Sequence, residues 1–424
     1  MPAGHTHVPC DLGSARQGDV IELRTLTDAD LPALRHVDGW AFGHAPSDER
    51  WTVASAVLER DRQTGAFYAG DLVGHTAAFT QVLTLPGGSI PSAGVTWVGV
   101  TPTHRRRGVV SRLLTHQLDD LRESGEAVAT LWASEPGIYG RFGYGIGSRR
   151  ASVTVPRPAR LRGSDPAGWS VRLGDAADAI EACSVVFEQT RTLLPGMVTR
   201  PPQAWREGVF DEPGGRGSSS PLRCATAVDA DGQPGGYVWF RTTPHFDAGD
   251  PDGTVEVREV VGTVPAAIRA LLDVVLDLDL MSRTTFWNLP IDHPLLTWTQ
   301  HSHRLRPRID EQLWVRLVRL DEALSARTYS APVDVVLQVA DEVCPSNDGR
   351  WRLSADEHGC VVARSHDAAD LSLDIRDLAG AYLGDDVLSR ALVAGGIGEH
   401  TPGAGRALAR AMRADRAPWC AYVF

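Results

Sequence analysis

Three arginines and a glycine, Arg105-Arg106-Arg107-Gly108, stand between an apolar β-branched run and an amphipathic one. Guanidinium groups are suited to phosphate oxygens, and the first backbone N–H groups of a helix have no partner inside it. A helix start dressed in this way is a candidate phosphate-binding site; the plain alternative is a basic helix start exposed to water. Some thirty residues on, PGIYGRFGYG carries Tyr139 and Tyr144 in a glycine-rich bend. A phenol has an ordinary pKa near 10, so at neutral pH it holds a proton it can give to a leaving anion. Tyr139 is the candidate acid; the plain alternative is a tyrosine packed at a bend. The chain ends APWCAYVF, apolar to its last residue, where chain ends are usually polar and frayed. Burial of that run would carry the Phe424 α-carboxylate into a low-dielectric interior, raise its pKa and make it a better proton acceptor. The alternative is an edge strand with its carboxylate in solvent.

These groups need elements to hold them. Val95 to Val100 has the composition of a strand, and Pro102 marks a turn. After Gly108, Val110, Leu113, Leu114, Leu118 and Leu121 fall on one helical face. Gly125 closes that helix, and Ala127 to Trp132 is a second buried strand. The turn is no Walker loop and has no GxGxxG, and the chain contains no lysine at all. Left in water, three cations at the positive end of a helix would be unfavourable without an anion. The order V-x-V-x-P-x-x-R-R-R-G after a strand and before a helix resembles the coenzyme A pyrophosphate loop of the GCN5-related (GNAT) N-acetyltransferases. That resemblance implies coenzyme contacts from Val98, Gly99, Val100, Arg105, Arg106, Arg107, Gly108 and Val109.

At 424 residues the chain is too long for one ordinary core. It is 43% hydrophobic and 22% charged, without an apolar run long enough to cross a membrane. A net charge of −11 argues against a nucleic-acid partner. Six scattered cysteines with no CxxC pair read as free thiols, neither a zinc knuckle nor a secreted disulfide framework. Residues 1–17 lack a secretory pattern and read as a loose tail, with His5, His7 and Cys10 not counted as metal ligands. No metal is expected, and the location expected is cytoplasmic. His301 and His303 receive no role.

In chain order, residues 18–150 read as strand, helix, strand pair, strand, phosphate turn, helix and strand, an acetyltransferase unit. Residues 151–310 repeat the central order: GTVEVREVVGTVPAAIRALLDVVLDLD shares strand, VG, a Thr and Pro turn and helix with the first copy. It lacks the arginines and the glycine, so a degenerate unit unable to hold a pyrophosphate is expected. Residues 311–424 alternate short strands with helices, an α+β unit that resembles a sterol-carrier-protein fold.

VGVTPTHRRRG, ASEPGIYGRFGYG and a terminal phenylalanine together resemble the enhanced-intracellular-survival (Eis) acetyltransferases, as does the order of two GNAT units and a sterol-carrier-like one. The resemblance implies acetyl-CoA as donor and amines of aminoglycosides or similar polyamines as acceptors. It also implies Tyr139 as acid, the Phe424 carboxylate as base, and a homohexamer of two trimers. Phe42 and Trp51 are candidate aromatic walls of the acceptor site, although the Asp38–Arg50 region carries no firm motif. Protein lysine acetylation, or a sensor that binds acyl-CoA or lipid without turnover, are the alternatives.

Overall fold

The computed structural model describes residues 21–163, 165–356 and 358–424; His5, His7 and Cys10 lie outside them. The first unit comprises β1 (Ile21–Thr25), α1 (Leu31–Phe42), α2 (Asp48–Ser55), β2 (Gln63–Tyr68), β3 (Asp71–Leu85), β4 (Gly88–Val100), α3 (Val109–Glu123) and β5 (Val128–Trp132). Strands β1 to β4 run antiparallel in order, and β5 lies parallel to β4, with α3 as the crossover. The apolar face of α3 is buried at Leu113, Leu114, Leu118 and Leu121 as its spacing predicts, while Val109 is buried in place of Val110, which is only half-buried.

The second sheet repeats this architecture. Ser170–Asp175, Arg223–Val228, Pro234–Thr243 and Gly253–Gly262 lie side by side antiparallel, and Met281–Pro290 runs parallel to the last of them. Helix Pro265–Val275 is the crossover.

The two sheets exchange strands. Gly145–Ile146 sits at the edge of the first sheet, and the chain then enters the second sheet as Arg149–Pro156. In return Arg308–Glu311 edges the second sheet, and Leu313–Leu317 crosses back to pair with β5. The strand expected to open the third unit therefore belongs to the first sheet. The crossings meet where the Ser148 hydroxyl donates to Gln312 Oε1 at 2.7 Å and the Gln312 N–H donates to the Ser148 carbonyl at 3.0 Å. Neither unit completes its sheet from a continuous stretch of chain.

The third unit is a five-stranded sheet ordered Gly359–Arg364, Gly349–Asp356, Val333–Ala340, Leu371–Asp374 and Gly398–Glu399, with helices Ile375–Ala381, Val387–Val393 and Ala404–Ala411. Helix Ile375–Ala381 packs on the first sheet at Gly145, where a Cβ would come within 2.1 Å of the Arg376 carbonyl. A fully buried ion pair, Arg316 Nη2 to Asp341 Oδ1 at 2.8 Å, ties the two units there. Among the described residues no helix is long and apolar enough to cross a membrane.

Candidate active site

β4 departs from its neighbours at the point where the site forms. Parallel pairing with β5 covers only Ser92–Val95 against Val128–Leu131, although β4 runs on to Val100. On its other side the register with β3 jumps from Ala77↔Thr96 to His75↔Gly99, a bulge at Trp97 and Val98. Trp97 takes a φ of +53°, uncommon for any residue but glycine. Beyond Val95 β4 has no pairing with β5, and Thr96, Trp97 and Val98 line a cavity there.

At the far end of β4 the chain reaches α3. Gly108 has φ +76° and a hypothetical Cβ there would meet nothing, so the glycine serves the left-handed turn as well as the clear approach expected from sequence. Arg105, Arg106 and Arg107 are exposed. Arg105 donates to the Ala41 carbonyl at 3.4 Å, and none of the three has a carboxylate partner among the described residues. Unpaired guanidiniums, open first-turn N–H groups and the splayed strand fit a coenzyme bearing a pyrophosphate at one end and an amide-rich arm behind it.

At the bulge end, a cavity of about 560 Å³ brings together Tyr139, Phe424, Phe42, Trp51 and Val98. Gly99, Val100 and the residues from Arg105 to Val109 lie outside it, further along β4 and at the start of α3. Tyr139 is buried against Tyr144 and Trp314, with its pKa pushed up to about 12 by desolvation and by Glu135. Tyr144 is buried away from the cavity with its hydroxyl unpartnered. The structure thus separates two tyrosines that the sequence leaves equivalent in kind.

The chain end reaches the cavity as the apolar run predicts, with one correction. Trp419, Cys420, Ala421 and Tyr422 are buried, but Val423 is 44% exposed and Phe424 only half-buried. The Trp132 indole N–H donates to the Tyr422 carbonyl at 3.0 Å, and the Phe424 ring meets Phe79 and Tyr422 at 6.4 and 5.6 Å between centroids. Trp51 packs on Trp97 at 5.6 Å, and Phe42 is half-exposed at the rim.

Sequence reading missed the acidic groups of the same cavity. Asp38 Oδ2 lies 3.0 Å from His44 Nε2; burial raises its pKa and His44 opposes the rise. Glu207, from the second unit, lines the cavity in an ion pair with Arg50. A signal for Asp38 existed: it occupies the apolar face of α1 beside Leu34 and Val37. Glu207 had none, because a residue more than a hundred positions away arrives only through packing between units.

Residues 22–147 and 196–337 each match a family model described as an acetyltransferase (GNAT) domain, and residues 320–421 match a sterol carrier protein domain. The N-acetyltransferase Eis of Mycobacterium tuberculosis is 32% identical over 78% of this chain and 79% of its own. The crystal structure of Eis1 from Mycobacterium abscessus superposes with a TM-score of 0.82 at 34% identity, over 95% of this chain and all of that one. The chain belongs to the Eis family of GNAT N-acetyltransferases. An uncharacterized N-acetyltransferase of Streptomyces avermitilis is 41% identical over 91% of this chain and 95% of its own. A GCN5-related N-acetyltransferase from Anabaena variabilis, 18% identical with a TM-score of 0.81, shares the fold over 96% of this chain and all of its own. Like other GNAT enzymes, this Eis-family member uses acetyl-CoA. No group of side chains arranged to hold a metal occurs among the described residues.

Proposed function

We propose that this enzyme acetylates primary amines of a cationic small molecule, an aminoglycoside or similar polyamine, with Tyr139 as general acid and the Phe424 carboxylate as general base. The observation that supports this reading is one cavity lined by a chain-terminal residue, a buried phenol and the acids Asp38 and Glu207. Acidic groups between the aromatic walls Trp51, Trp97 and Phe42 suit a polycation, which gains both ion pairing and cation–π contact. Val98, Gly99, Val100 and the N–H groups around Val109 would align the coenzyme arm. Arg105, Arg106, Arg107 and Gly108 would hold its pyrophosphate.

When bound, acetyl-CoA supplies the acetyl group as a thioester. The Phe424 carboxylate takes a proton from the acceptor amine, directly or through water. The Tyr139 hydroxyl, with a pKa near 12, stays protonated at physiological pH and donates to sulfur as negative charge develops there. A second proton acceptor lies in the same cavity: the Asp38–His44 pair at 3.0 Å has the geometry of an oriented imidazole. Extending the chain by a few residues beyond Phe424 separates the two. Turnover is expected to vanish while calorimetry still detects coenzyme binding; wild-type turnover would transfer the role to His44.

Thiol release across a panel of amines tests the acceptor class, with kanamycin-type amines expected to exceed lysine peptides. Faster turnover of peptides would make this a protein acetyltransferase, and tight coenzyme binding with no turnover would make it a sensor. A cytoplasmic setting accords with the free thiols of the described cysteines. Assembly as a homohexamer of two trimers rests on family membership and is checked by light scattering.

A further inference from the structure

The second unit repeats the splayed strand pair of the first without the phosphate turn. Gly253–Gly262 pairs in parallel with Met281–Pro290 only as far as Val257↔Phe286, and its register with Pro234–Thr243 slips at Arg258. Helix Pro265–Val275 is then capped by Val264 and starts with Pro265, where the first unit has Gly108 and Val109. A slot of the same construction therefore exists, and the chain's own tail lies in it.

Asn288, two residues past the last parallel pair, donates from Nδ2 to the Cys420 carbonyl at 3.2 Å and accepts from the Trp419 indole N–H at 3.1 Å. Gln312, at the crossing of the exchanged strands, donates to the same carbonyl and accepts from the Cys420 N–H, both at 2.9 Å. A residue of about 110 Å³ of the slot remains open beside Trp419, between Gly262, Pro265 and His293. Gly196, φ +95°, leaves room for the passing backbone, since a Cβ there would stand 3.0 Å from the Trp419 carbonyl oxygen. Two residues on, the tail enters the first unit. Trp132, one residue past that unit's last parallel pair, binds the Tyr422 carbonyl and faces Trp287, its counterpart, at 6.2 Å.

We infer that the coenzyme slot of the second unit is a socket for the chain's own C-terminal tail, in which Asn288 and Gln312 are positioning residues that set where the Phe424 carboxylate stands. The second clause rests on the reading of that carboxylate as the base. The physical need is plain. A chain end has few constraints, and a proton acceptor displaced by an ångström loses much of its effect. Two buried amides that close three hydrogen bonds on the backbone of one residue, Cys420, leave only the last residues free to move, so little conformational freedom is lost at the reacting end.

The test uses the full-length chain and two separate readouts. Cys420 is completely buried in the seated tail, as Cys183 is in the second unit's core, while Cys344 is nearly so between the first and third units. In Asn288→Ala and Gln312→Ala, iodoacetamide labelling mapped by mass spectrometry is expected at Cys420 at least tenfold faster, with Cys183 and Cys344 still protected. The kcat is expected to fall at least tenfold and KM for acetyl-CoA to stay within twofold. The milder Trp419→Phe, which removes one donor, guards against a variant that fails to fold. Cys420 as protected as in wild type in both alanine variants would overturn the socket, as would exposure of all three cysteines together in every variant. Cys420 exposed with kcat unchanged would leave the socket standing and overturn the terminal base.

Discussion

The two acetyltransferase units share seven strands in one order, a slip in register on the fourth, and a parallel pair that splays past it. They differ where the crossover helix begins. The first offers Gly108 in a left-handed turn behind three unpaired arginines; the second offers Val264 and Pro265. Proline lacks an N–H and valine disfavours a positive φ, so neither the donors nor the turn of a phosphate site can form there. Beside the first unit's bulge a cavity of about 560 Å³ stays open, whereas the second unit's slot is largely filled by the chain's own tail. Duplicated architecture thus need not mean duplicated chemistry. On the proposed reading, coenzyme binding turns on a few residues at one helix end, and the remaining framework is free to do something else.

That comparison is open to direct attack. The largest effect is expected from the chain end, where a short extension past Phe424 abolishes turnover, read by thiol release with coenzyme binding intact. Next comes Tyr139→Phe, expected to lower kcat by about 10²–10⁴, whereas Tyr144→Phe, away from the cavity, leaves kcat near wild type; equal losses would erase the distinction between the two tyrosines. Arg106→Ala and Arg107→Ala should each raise KM for acetyl-CoA by about tenfold through loss of a charge-assisted bond. Thr263→Ala at the corresponding end of the second unit should not move that KM. A coenzyme effect there would mean that the second slot binds after all.

The smallest effect concerns the one neutral histidine that each unit hides. Burial holds His75 at about 3 and His293 at about 4, below the ordinary 6.5. Between those values the unfolded chain binds protons the folded one refuses, so stability rises with pH across that window and is lost as pH falls through it. The slope is up to about 1.4 kcal/mol per pH unit for each group. Thermal melting from pH 7 to 4.5 should show this loss, and His75→Phe should flatten it. An unchanged slope would remove His75 as its source.

Legibility followed the range over which a feature is specified. The helical spacing from Val110 to Leu121, the turn at Gly108 and the strand at Val95 are written within some thirty residues, and each forms where the pattern puts it. The apolar ending was readable too, because a run such as Trp419 to Tyr422 has few uses except burial. Val423 ran against that pattern, standing exposed where the tail reaches the cavity. Leu313–Leu317 was legible as a strand but not as a member of the first sheet, because alternation carries no information about which neighbour a strand chooses.

By itself, then, the sequence determined the local elements, the duplicated order of the units, the phosphate turn in one copy and its loss in the other. These depend on φ preferences, hydrophobic period and charge, all properties of near neighbours along the chain. Only the tertiary structure decided that the sheets trade strands at Ser148 and Gln312, that Glu207 and Asp38 share a cavity with Phe424, and that Asn288 grips the tail. Each of those contacts joins residues far apart in sequence, and such contacts come from burying surfaces together, for which no short stretch of chain carries the instruction.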